Sequence, residues 1–78
     1  MSIKDIKMSI KETLLESMVS HAKGEILKAK ANVQVYLDNP AGIGEHPDVV
    51  SAIQSELDKI CANEERIDII NKHFKSDI

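Results

Sequence analysis

The sequence contains no tryptophan, a single tyrosine, a single phenylalanine, three glycines and two prolines among its 78 residues. So few aromatic and turn-forming residues argue against a β-sandwich or barrel and leave helices as the expected elements. One cysteine, Cys61, excludes an internal disulfide and a cysteine-built structural zinc site. A lone reduced thiol accords with a cytoplasmic setting. No run reaches the roughly 18 apolar residues of a membrane span, and the lysine-bearing first residues lack the apolar stretch and small-residue cleavage site of a signal peptide. Positive charge is scarce too: ten basic side chains face thirteen acidic ones, for a net charge of −3. Nucleic-acid phosphates call for a basic face, so neither a nucleic acid nor a membrane is an expected partner.

What is present is the composition of a chain that packs, 42% apolar and 29% charged. At this length one small domain is expected, and folding hides only about 60% of the surface of the unfolded chain. A large enclosed active site does not fit in it. From Ser9 to Leu37 apolar residues recur in steps of four and three: Leu15, Val19, Ala22, Ile26, Ala29, Val33 and Tyr36. Ser9-Ile10-Lys11-Glu12 has the form of a capping box and marks the start. Ser2-Ile3-Lys4-Asp5 repeats that arrangement, so the helix is expected over 9–38, with a start at 2 as the alternative. Asp38-Asn39-Pro40 should end it, since asparagine accepts the left-handed terminal conformation and proline cannot continue the ladder.

Residues 39–46 read as a loop, and Pro47 fits the first position of a second helix with His46 as its cap. That helix is expected over 47–74, with Val50, Ile53, Leu57, Ile60, Ile67, Ile70 and Phe74 on one face. Glu64 and Asn71 interrupt its strict heptad, either as polar positions that fix register or because a straight helix drifts past them, drift being the simpler reading. An eight-residue loop folds two such helices back antiparallel. Eleven isoleucines, five leucines and five valines exceed what one seam can cover. Leu14, Met18, Leu27, Val35 and Leu37 flank the first stripe, and Val49, Ile69 and Cys61 the second. The expected architecture is therefore an all-α antiparallel two-helix hairpin that dimerises into a four-helix bundle or docks its open face on another protein.

Residues that could carry chemistry do not assemble into a motif. His21 with Glu25, and His73 with Asp77, have a four-residue spacing suited to two metal ligands, but no further ligand completes either pair. Cys61 has no cationic neighbour to activate it and reads as a buried structural thiol. Gly42-Ile43-Gly44 lacks the lysine and hydroxyl residue of a phosphate loop, and Glu45 and Asp48 would repel phosphate. No catalytic, cofactor-binding or metal-binding residue is expected. Ile43 at the loop tip has two readings: a plug for the end of the bundle, or, with Glu45 and His46, a contact loop for a partner. Gly24 inside the first helix likewise marks either a close helix approach or a tolerated exposed glycine.

The words Asn39-Pro-Ala-Gly-Ile-Gly-Glu-His-Pro-Asp-Val-Val and Ile70-Asn-Lys-His-Phe resemble small helical proteins of tailed bacteriophages, especially those of marine cyanobacteria, over residues 20–75. The resemblance brings no activity and no catalytic residue. It implies expression in the cytoplasm of an infected bacterial cell, as a factor acting on a host or phage protein or as a component of the particle. The expected role is a non-enzymatic interaction module that forms homo-oligomers, with a building block of a larger assembly as the alternative.

Overall fold

The computed structural model describes residues 8–39 and 48–75, which form two α-helices, α1 (Ile10–Asp38) and α2 (Val49–His73), packed along each other. The additional start at residue 2 and the loop residues Pro40 to Pro47 lie outside the described residues, and with them Ile43, Glu45 and His46.

Ser9 caps α1 as its sequence predicts. Its Oγ accepts from the Glu12 amide at 3.0 Å, and the Glu12 carboxylate accepts in return from the Ser9 amide at 2.9 Å. The other end differs from expectation. Asn39 adopts φ −146°, ψ 66° and closes the last turn with its amide on the Val35 carbonyl at 3.0 Å. A following proline steers its predecessor toward extended backbone, which displaces the left-handed stop.

The second helix starts two residues later than the sequence suggests. Asp48 is its cap, accepting from the Ser51 amide at 2.9 Å, and Val49 is its first residue. An aspartate carboxylate is a far better partner for a free amide than an imidazole, and it also favours the positive end of the helix dipole. Lys72 and His73 occupy the last turn, where cations meet free carbonyls, and the Phe74 and Lys75 amides both donate to the Ile70 carbonyl.

Two side-chain contacts between the helices mark the antiparallel register. Asn32 Nδ2 donates to Glu56 Oε1 at 3.2 Å, and Lys75 Nζ lies 3.7 Å from Glu16 Oε1 at the open end of the hairpin. The seam on α1 is the expected stripe: Val19, Ala22 and Ala29 are buried, and Leu15, Ile26, Val33 and Tyr36 are half-buried. On α2 the seam runs through Val49, Ile53, Glu56, Ile60, Asn63, Ile67 and Ile70. Val50, Leu57 and Phe74, expected on the same packing face, are 65%, 46% and 54% exposed on the hairpin. The step from Ile53 to Ile60 passes through 56 rather than 57; both spacings are helical, and the apolar character of Leu57 favours the wrong one on paper.

The described residues form one layer of two helices lying side by side. A body one helix thick cannot surround a side chain. No large side chain is fully buried, and the small residues Ala22 and Ala29 are the most enclosed, at 0% and 1% exposure. They let the backbones approach at mid-seam. Gly24 has no such role, because a methyl group there would have nothing within 4 Å.

Two outcomes are expected in urea unfolding followed by circular dichroism. Ala22→Leu should lower stability by about 1–3 kcal/mol by forcing the helices apart. Gly24→Ala should raise it by roughly 1 kcal/mol, the difference in helix propensity, since the added methyl meets open space.

Candidate interaction surface

The chemistry-bearing residues are scattered. His21 and His73 are both exposed, the latter edge-on to Phe74 at 6.3 Å. Among the described residues no three histidine, cysteine, aspartate or glutamate side chains converge as a metal site would require. Cys61 is exposed rather than buried, because it lies off the seam on the side that α1 does not cover. No helix among the described residues is long and apolar enough to cross a membrane.

One polar constellation is built into the seam. Glu56, 7% exposed, accepts from Asn32 of α1 and from Lys59 Nζ at 3.2 Å through its second oxygen. Asn63, 8% exposed, is satisfied within α2: its Nδ2 donates to the Lys59 carbonyl at 2.8 Å and its Oδ1 accepts from Arg66 Nη1 at 3.3 Å. No buried side-chain nitrogen or oxygen among the described residues lacks a partner. The Asn32 hydrogen bond holds the Glu56 carboxyl below the ordinary carboxylate range; burial opposes this, while the Lys59 hydrogen bond and the charges of Lys59 and Lys28 add to it. Glu56 thus ties α2 to α1, whereas Asn63 is tolerated there without joining them.

The larger feature is apolar surface with nothing on it. Eleven large apolar side chains among the described residues are exposed, against four buried apolar residues, two of them alanines. Some flank the seam, and others, among them Ile10, Leu27 and Val35, stand on the outer side of α1. On one flank, toward the open end, a groove of about 510 Å³ runs between the helices, lined by Leu15, Met18, Ala62, Ile69, Ile70 and Phe74 together with Glu65 and Arg66. On the other flank, toward the loop, Leu37, Val50 and Leu57 are 62%, 65% and 46% exposed. A second cleft of about 690 Å³ opens between the start of α1 and the end of α2, with Lys11, Glu12, Glu16 and Lys75 mixed among Met8, Leu15 and Phe74.

The sequence pattern anticipates Met18 and Ile69 as flanking residues but misses Glu56, Asn63 and the groove. Glu56 and Asn63 stand one heptad apart and in phase with Val49 and Ile70, a signal that points to the seam once polar residues are admitted to it. No family model, curated protein or solved structure matches the chain.

The Glu56 geometry has a pH consequence. A carboxyl whose pKa falls on folding contributes stability above its unfolded value, about 4.3, and loses that contribution as pH drops through the folded value. The urea midpoint should therefore fall as pH is lowered from about 5 to 3, and Glu56→Gln should show a smaller fall over that range. Equal falls in both proteins would remove Glu56 from this role.

Proposed function

We propose that this chain is a non-catalytic protein–protein interaction module whose hairpin associates through exposed helix surface, first of all with itself, as a four-helix bundle. The observation that carries the reading is the imbalance between eleven exposed and four buried apolar residues. Isolated exposed apolar residues are ordinary on any protein; those that line the groove beside the seam are the surface that association would remove from water. Burial of that surface is the whole mechanism, and it needs no cofactor, metal or nucleophile.

By the resemblance to tailed-phage proteins, the proposed setting is the cytoplasm of an infected bacterium, with a host or phage protein as a further partner.

A second reading, a repeated building block of a larger assembly, draws on the presence of apolar surface on both flanks. Two separate patches permit open-ended association where one permits only a closed pair. Sedimentation velocity over a hundredfold range of concentration separates the two. A single species of twice the chain mass is expected; a series growing without limit would favour the assembly reading, and a monomer at every concentration would contradict self-association.

A further inference from the structure

We propose that the Asn32–Glu56 hydrogen bond decides which of two faces α2 turns toward α1. Ile53, Ile60 and Ile67 run along α2 in steps of seven and are half-buried against α1. A line of four residues lies on each side of them. Val49, Glu56, Asn63 and Ile70 follow one side and enter the seam, the last three of them buried. Val50, Leu57, Glu64 and Asn71 follow the other side and are exposed. Each line holds two apolar and two polar residues, so apolar content does not choose between them. A rotation of α2 about its own axis by about 50°, half the angle between neighbouring residues of a helix, would exchange one line for the other.

What separates the two faces is the partner that α1 offers. Asn32 Nδ2 donates to Glu56 Oε1 at 3.2 Å, the one side-chain hydrogen bond between the helices among the described residues. Asn63 has its partners, the Lys59 carbonyl and Arg66, on α2 itself, and they turn with it. The second oxygen of Glu56 is met by Lys59, again on α2. The Lys75–Glu16 ion pair joins two long, partly exposed side chains at the open end and tolerates a turn. Without Asn32, one oxygen of Glu56 would stay in the seam with no partner, at the full cost of removing it from water. Turning Leu57 inward would carry Glu56 out and relieve that cost. One polar pair thus keeps Val50 and Leu57 on the surface and Ile70 within the seam, whether or not the hairpin associates.

Cys61 reports the choice. It follows Leu57 by four residues, on the same side of α2, and its thiol is exposed; a turn that brings Leu57 in carries Cys61 toward α1. The test is the rate at which Cys61 reacts with dithiodipyridine in the folded full chain, with circular dichroism verifying that each variant keeps its helices. Asn32→Leu should slow the reaction at least about fivefold, because access governs thiol reactivity. Adding Glu56→Leu should return the rate to within about twofold of the parent, since a leucine at 56 needs no partner on α1. Glu64→Leu, at an exposed position, gives the second face a third apolar residue and serves if Asn32→Leu alone loses its helices. Asn32→Leu/Glu64→Leu should then react at least about fivefold more slowly than Glu64→Leu by itself. A Cys61 rate that the loss of Asn32 leaves unchanged in folded chains would overturn the proposal. Slowing that grows with protein concentration would overturn it too, because that is cover by a second copy rather than a turn of α2.

Discussion

Where two helices have only each other to pack against, each can hide one stripe of side chains and no more. In this chain the contact between α1 and α2 is such a stripe, and at mid-seam it is made by alanines, Ala22 and Ala29, that bring the helices close but hide little apolar area. Burial contributes on the order of 25 cal/mol for each Å² of apolar surface removed from water, so small residues at the best-enclosed positions leave a modest core. The larger residues of the stripe, Leu15, Ile26, Val33 and Ile60, are covered on one side only. Two helices side by side have no interior to put them in.

The polar members of the seam follow from the same thinness. In a thick core Glu56 would be an unpaired charge and strongly destabilising. In a single seam its carboxylate reaches the flank, where Asn32 and Lys59 satisfy it while its stem stays between the helices. A polar pair at such a position gives up some stability and selects an alignment, because a slide of α2 along α1 would separate Glu56 from Asn32. The seam therefore specifies how the helices align more than it stabilises them. Beside that seam the apolar flanks stay exposed.

The helical periodicity, the serine-glutamate box and the proline-bounded connection made two antiparallel helices legible from the residues. The start of α2 was less so, since Pro47 suits the first helical position and conceals that Asp48 is the better cap. Val50, Leu57 and Phe74 stay exposed on the hairpin while Glu56 and Asn63 enter its seam, because an apolar residue at an allowed spacing looks like a seam residue and a glutamate or an asparagine does not. The position of Cys61 failed for the same reason: which flank of α2 meets α1 depends on a one-residue choice at 56 or 57. The groove could not be found along either helix alone. It exists only where the antiparallel register sets Met18 beside Ile69, and that register is marked by a hydrogen bond between residues 24 apart in sequence.

If the hairpin relies on a second copy to cover what its own seam leaves exposed, folding and association are one equilibrium. Stability must then depend on protein concentration. The direct measurement is the urea unfolding midpoint, followed by helicity, at two concentrations a hundredfold apart. A shift to higher urea at the higher concentration, corresponding to about 2.7 kcal/mol per dimer, is the predicted result. A midpoint that does not move would mean that the hairpin is stable by itself, and would contradict the account.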